Sequence, residues 1–275
     1  MKVNSNKGDK MKKDFIQYIM IVLMITGAYL IGVYKTKVEY LEKGTSTPTT
    51  AQEQAAAQQE TTTPTTIDLA KVKEDLFDGK HITFGDKNAK LSFVEISDTS
   101  CPYCHIAGGK NPELNNQVGA QFKMKADGGS YVPAVPEMKK LVDEGKASFA
   151  WVYTPGHGNG EMGTQALYCA YEAGKFWEVH DVLMTSAGYD LLNEVVANDA
   201  AKSQELADFT KEAMDVTAMK SCLDSGKYKD RITEDPSWVQ ALGFGATPTF
   251  FINDQVVEGA ASWDQGFSQV VEPLL

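Results

Sequence analysis

Hydrophobic and polar positions alternate along this chain in two distinct rhythms. Leu91-Ser92-Phe93-Val94-Glu95-Ile96-Ser97 mixes β-branched and apolar residues as a buried strand does, and Ala147 to Tyr153 reads as a second buried strand. Phe250 to Ile252 and Gln255 to Glu258, joined at Asn253-Asp254, predict a returning hairpin. Helical periodicity runs through Pro136 to Glu144, Gly163 to Met184, Gln204 to Leu223 and Ser262 to Leu275, with Gly226 as a stop after the third. Asp98-Thr99-Ser100 are turn and N-cap residue types, so the first strand feeds a helix that opens at Cys101. That strand, its helix and the strand at 147–153 would form a right-handed βαβ unit.

The first quarter of the chain has a different pattern. Phe15 to Tyr34 is uncharged and predominantly apolar over about 20 residues, enough to cross the hydrocarbon core. It is too long for an ordinary signal-peptide core and no small-residue cleavage pattern closes it, so it predicts an uncleaved signal-anchor. Lys2, Lys7, Lys10, Lys12 and Lys13 precede it, whereas Lys35, Lys37 and Lys43 are interleaved with Glu39 and Glu42. The positive-inside bias places residues 1–14 in the cytoplasm and exports the remainder. A core helix is the alternative, but its flanks are lysine and linker. From Gly44 to Thr66 the chain is mostly Thr, Gln, Ala and Pro and buries little, so 35–66 reads as a juxtamembrane segment and flexible tether, with room for a short helix over Ala51 to Glu60.

Chemistry concentrates at Cys101-Pro102-Tyr103-Cys104. Residues i and i+3 share a helix face, and their Cα separation of roughly 5 Å lies within the range a disulfide tolerates. At the helix start Cys101 faces the orphan N–H groups and positive dipole end, which favour thiolate, and it is the predicted nucleophile. Three other readings compete. The pair could be a purely structural bridge; it could be half a zinc site, although no second C-x-x-C completes four ligands; and Cys101 to His105 spells the attachment pattern for c-type haem.

A second feature favours the redox reading over these. In Ala246-Thr247-Pro248-Thr249-Phe250-Phe251-Ile252-Asn253 a proline opens a strand-like run, where a missing N–H is tolerated and a cis peptide can occur. The order of strand, CPYC, long helical insertion and Thr-Pro strand resembles the DsbA-like branch of the thioredoxin superfamily, over residues 67–275. The resemblance implies an α/β thioredoxin fold with helical insertions at about 106–146 and 160–235, here preceded by one transmembrane helix and a flexible linker. It implies that Cys101 attacks, Cys104 resolves and Pro248 packs as a cis-proline against the redox pair, with Pro102, Tyr103 and Thr247 touching substrate. Glu95, six residues before Cys101, falls where the superfamily has a buried acid that moves the resolving thiol's proton; an exposed strand-edge glutamate is the bland alternative. Tyr103 replaces the histidine of several DsbA proteins, which puts a strongly oxidising potential in doubt.

The implied activity is thiol:disulfide exchange on exported cysteine-containing proteins, with a membrane quinone-linked reoxidase as partner and no cofactor or metal. Reductase or isomerase action uses the same residues, and a redox-inert chaperone on this scaffold is a further alternative. Cys169 and Cys222 lie in separate helical patterns: paired they would staple the helical region, unpaired they would be small buried hydrophobes, and a free thiol beside an oxidising catalyst favours the staple. His157, in a glycine-rich loop, reads as solvated; His180 and Trp151, Trp177, Trp238 and Trp263 read as core. The insertion between Ile106 and Val135, rich in glycine and proline, could rim the active site. The net charge of −11 and pI near 4.9 argue against nucleic-acid binding.

Overall fold

The computed structural model describes residues 67–275. The predicted tail at 1–14, anchor at 15–34 and linker at 35–66 lie outside the described residues. Among the described residues, no helix is long and apolar enough to cross a membrane.

The chain opens with α1 (Leu69–Leu76), capped by the Asp68 carboxylate on the Lys71 N–H, and passes through a short β1 (Ile82–Phe84) into β2 (Leu91–Ser97). Next come α2 (Pro102–Gly108), α3 (Pro112–Val118), α4 (Ala134–Asp143) and β3 (Ala147–Tyr153). The helical region holds α5 (Glu161–Glu172), α6 (Phe176–Leu183), α7 (Ser186–Asp190), α8 (Ser203–Phe209) and α9 (Val216–Ser225). Then α10 (Arg231–Ala241) leads into the hairpin β4 (Thr249–Ile252) and β5 (Gln255–Glu258), and α11 (Ser268–Val271) lies near the C-terminus.

The sheet has the order β1-β3-β2-β4-β5, with β2 and β3 parallel and the other pairs antiparallel. Every residue of β2 and β3 is buried, which explains why both read as near-continuous apolar runs rather than alternating ones. Val94, Ile96, Ala150, Val152 and Phe251 pack on one face against Val72 and Leu76 of α1 and Val239 of α10. Phe93, Phe149, Trp151 and Phe250 pack on the other face with residues of α4, α5, α6 and α11.

The expected strands are all present, and β4 begins one residue earlier than its pattern suggested. Three expected helices are divided. Gly174, at φ +68°, ends α5, with the Lys175 N–H donating to the Ala170 carbonyl at 2.7 Å, so 163–184 is two helices rather than one. Gln204 to Leu223 breaks after Phe209, and the Asp215 carboxylate caps a fresh start on the Ala218 N–H. Ser262 to Leu275 begins as a π-helical turn over Trp263–Phe267 and ends in a 3-10 turn holding Pro273, which has no N–H to continue α11. The helix expected at Pro136 starts at Ala134, because a proline is tolerated in a first turn.

The insertions are narrower than expected. α4 packs on β3 as the crossover helix, and α10 packs on the sheet, so neither belongs to an appended layer. Of the tryptophans only Trp151 is fully buried; the rings of Trp177, Trp238 and Trp263 are half-buried at the rim, and the Trp238 indole N–H donates to Asp75 at 3.0 Å. Cys169 and Cys222 are bonded, with a Cα separation of 6.0 Å, and join α5 to α9.

Candidate active site

The junction between β2 and α2 brings the two remaining cysteines together as free thiols. Cys101 is the N-cap of α2, one position before the first helical residue, and its carbonyl accepts from the N–H groups of Cys104 and His105 at 3.1 and 3.2 Å. Pro102 sits at the first helical position, where its missing N–H is harmless. The Cys101 thiol is pulled down to about 7, first by a hydrogen bond from the Cys104 thiol and then by polar contact with Thr247 and the N–H groups of Cys104 and Tyr103, against the opposing effect of burial. Its sulfur lies 3.5 Å from the Thr247 carbonyl. Cys101 is only 4% exposed, beneath the loop that carries Thr247. Burial pushes the Cys104 thiol well up, and the Asp98 N–H donates to its sulfur at 3.4 Å.

Thr247-Pro248 is a cis peptide bond, placed over the Cys101 sulfur by the start of β4. The loop after β3 presses on it: a Cβ at Gly156 would run into the Thr247 hydroxyl oxygen, so only glycine fits there. Tyr103 is 44% exposed and its ring meets that of Phe122 edge-on at 5.9 Å. Phe122 in turn meets Tyr131 at 5.7 Å. The segment between α3 and α4 therefore does rim the site, through Phe122.

Asp98 was legible only as a turn residue, yet it ties the site together. Its carboxylate accepts from the Gly156 N–H at 2.7 Å, the His157 N–H at 2.9 Å, and the Ser100 N–H and hydroxyl at 2.8 and 2.7 Å. Asn193, in a π-helical turn over Leu191–Val196, donates to the Ser100 carbonyl at 3.2 Å and locks the helical region to the same loop. The Asp-x-Ser spacing was the one signal in the sequence; the remaining partners come from 58 and 59 residues away. His157 is exposed, as its loop position suggested.

His105 is fully buried, with Nδ1 3.0 Å from the Met184 carbonyl and Nε2 2.9 Å from the Thr99 carbonyl, and burial lowers it to about 4. Both ring nitrogens are occupied by protein carbonyls inside the core. The CPYCH stretch therefore does not fit haem attachment, which needs a histidine free to ligate iron.

Glu95 lies beneath this junction. It is 1% exposed, in register with Trp151 of β3 and Phe250 of β4, and neither carboxylate oxygen has a hydrogen-bond partner among the described residues. Burial raises its carboxyl above the ordinary 4.5, and its charge adds to the upward push on Cys104. The strand-edge alternative is thus excluded, because β2 is an interior strand.

Comparison with known proteins places these features. A family model described as Thioredoxin matches residues 134–272. The chain is 27% identical over 172 residues to Na(+)/H(+) antiporter NhaA 3 of Salinispora tropica, covering 62% of this chain and 21% of that protein. It is 23% identical over 189 residues to Disulfide bond formation protein D of Bacillus subtilis, covering 66% of this chain and 71% of that protein. The chain thus spans about a fifth of the length of the antiporter relatives it matches. Oxidised BdbD from Bacillus subtilis superposes with a TM-score of 0.54 at 21% identity, over 71% of this chain and 93% of that structure, which is a likeness of fold. With the family model covering half its length, the chain belongs to the thioredoxin family, in the helix-inserted, DsbA-like form of the fold.

Proposed function

We propose that this protein is an extracytoplasmic thiol:disulfide oxidoreductase that forms or exchanges disulfides in exported proteins. The observation that carries the proposal is the division between two thiols one helical turn apart: Cys101 is drawn down to about 7 at the helix start, while Cys104 is buried and pushed up. A low thiol attacks and leaves readily, and a high buried one is held in reserve.

In the oxidising direction a substrate thiolate attacks Cys101 of the Cys101–Cys104 disulfide. A Cys101–substrate disulfide forms, the Cys101–Cys104 bond breaks, and the electron pair goes to Cys104, which takes a proton. A second substrate thiolate then attacks the substrate sulfur of the mixed disulfide, leaving an oxidised substrate and the Cys101 thiolate. Glu95 supplies the proton to Cys104; Pro248, Thr247, Pro102 and Tyr103 line the surface over which the substrate chain lies. The electrons then pass to a membrane quinone-linked reoxidase. Residues 15–34 anchor the domain and 35–66 hold it off the membrane, in line with the apolar run and polar tether of the sequence.

A second reading, exchange or reduction rather than strong oxidation, is favoured by one observation. Tyr103 stands between the cysteines where several DsbA proteins have a histidine that helps stabilise the thiolate. Equilibration in glutathione buffers tells the two directions apart.

The function itself is tested by trapping. Cys104→Ser should accumulate mixed disulfides with cysteine-containing proteins, and Cys101→Ser should abolish both exchange and trapping. Trapping by Cys101→Ser instead would assign the attacking role to the wrong cysteine.

A further inference from the structure

Asp98-Thr99-Ser100 are turn residues by type, but their side chains do more than lead into α2. Parallel pairing of β2 with β3 ends at Ser97 and Tyr153, where the Thr154 N–H still donates to the Ser97 carbonyl at 3.0 Å. Past that point the chain after β3 is held by side chains. Gly156 and His157 donate their N–H groups to one Asp98 oxygen at 2.7 and 2.9 Å, and Asn159 donates its own to the Ser100 hydroxyl at 3.1 Å. The Thr99 hydroxyl donates to the Gly160 carbonyl at 3.0 Å, and Gly160 lies so close to Asp98 that a Cβ there would meet the other carboxylate oxygen. With the Ser100 N–H and hydroxyl on that second oxygen, four donors fill the accepting capacity of the buried carboxylate.

Gly156 bears on Thr247, whose carbonyl lies 3.5 Å from the Cys101 sulfur. The Thr247 hydroxyl is buried without a hydrogen-bond partner among the described residues, so packing fixes it, and the Gly156 backbone is part of that packing. Asp98 is therefore joined to the site in three ways. Its carbonyl accepts the Cys101 N–H at 3.0 Å, its own N–H donates to the Cys104 sulfur at 3.4 Å, and its carboxylate reaches Thr247 through Gly156. Every link is a hydrogen bond or a van der Waals contact.

We propose that Asp98 is a positioning residue for substrate docking: by holding Gly156 and His157 it keeps the loop after β3 against Thr247, and so sets where the Thr247-Pro248 turn sits over the Cys101 sulfur. This rests on the oxidoreductase reading, in which a substrate chain lies over Thr247 and Pro248. The carboxylate touches no sulfur and acts only through Gly156 and Thr247. A displaced loop misplaces the substrate thiol, and attack needs the reacting sulfurs close and aligned. A small dithiol that makes no chain contact is indifferent to the same error. Action by charge alone has the opposite sign. Removing a buried negative charge near the thiols would ease ionisation of Cys101, whereas drawing Thr247 away removes one of the contacts that pull it down.

The test compares an extended synthetic dithiol peptide with dithiothreitol, each oxidised in a single turnover by full-length protein in its disulfide form. In both reactions a thiolate attacks Cys101, the Cys101–Cys104 bond breaks, and the second thiolate closes the new disulfide. Asp98→Asn keeps the side chain's shape but sets an amide NH2 among four donors. Gly156→Ala, at an exposed loop position, drives a methyl at the Thr247 hydroxyl and leaves every charge in place. Each should lower the peptide rate on the order of tenfold. The rate with dithiothreitol should not fall, and the alkylation midpoint of Cys101 in the reduced protein should rise. Because both changes act on one loop, the double variant should lose less than the product of the two single effects. Ser100→Ala removes one donor and frees the Asn159 N–H, so it should give a smaller loss of the same kind, and it carries the test if Asp98→Asn does not fold. Equal losses with peptide and dithiothreitol would mark a destabilised fold and overturn the proposal. So would a midpoint that falls in Asp98→Asn with the peptide rate kept, the sign of action by charge. If the wild type oxidises both dithiols and every variant matches it, the positioning role is wrong and the oxidoreductase reading stands; if the wild type oxidises neither, that reading fails, and the positioning role with it.

Discussion

The protein carries two pairs of cysteines whose surroundings are opposite in almost every respect. Cys101 and Cys104 lie one turn apart at the N-terminal, positive end of α2, beside the Thr247 carbonyl, the Asp98 amide and a buried carboxyl. Cys169 and Cys222 are 53 residues apart, and each sits near the C-terminal end of its helix, where the negative end of the dipole disfavours a thiolate. Cys169 is packed among apolar residues of the main core and Cys222 against its edge. The two pairs are thus set in opposite chemical surroundings, one beside polar groups at a helix start and the other bonded within the core. The difference is made by helix polarity and by what can approach the sulfur.

The largest expected effect separates the pairs by stability. Replacing both Cys169 and Cys222 by Ala should cost about 4 kcal/mol of unfolding free energy, from the entropy of a loop this long, with Cys101 reactivity retained. Chemical denaturation together with an exchange assay measures both halves. If the variant keeps its stability, the second pair is no staple.

A smaller effect concerns the pH response of the first pair. Cys101 lies near 7 in place of the ordinary 9.0, a difference on the order of 3 kcal/mol between thiol and thiolate. Alkylation of the reduced protein should rise with a midpoint near pH 7, and Cys104→Ala should move that midpoint upward, since the Cys104 hydrogen bond is the leading cause of the shift. The same depression makes the thiolate a source of folding stability in the reduced state. That contribution is fully present above about pH 9 and lost as pH falls through about 7. A midpoint that ignores Cys104 would remove the local explanation of the contrast.

The smallest effect tests whether the rim belongs to the reactive pair. Tyr103 and Phe122 meet edge-on, so a double-mutant cycle with Ala at both positions should return a coupling of about 0.5–1.5 kcal/mol. Strict additivity would mean that the segment carrying Phe122 only lies near the site without supporting it.

Much of this was legible in residue order because it depends on local rules. β2 and β3 appear as unbroken apolar runs because both of their faces are covered, and the Asp98-Thr99-Ser100-Cys101-Pro102 series carries its own turn and helix-start chemistry. The division of 163–184 at Gly174 was readable in principle, since glycine after a periodic stretch is a stop signal; apolar residues on both sides concealed it. β1, with only three residues, has too little pattern to announce itself and exists because β3 offers it an edge.

By itself, then, the sequence determined the main strands and the place of the Cys101–Cys104 pair at a strand-to-helix junction, because hydrophobic period, caps and turn residues act over a few neighbours. Only the tertiary structure decided that Cys101 is nearly covered by the Thr247 loop, that Asp98 gathers Gly156 and His157, that Phe122 supports Tyr103, and that Glu95 is sealed in the core. These contacts join residues far apart in the chain, and the burial that shifts a thiol or a carboxyl exists only once the sheet and its helices have closed around it.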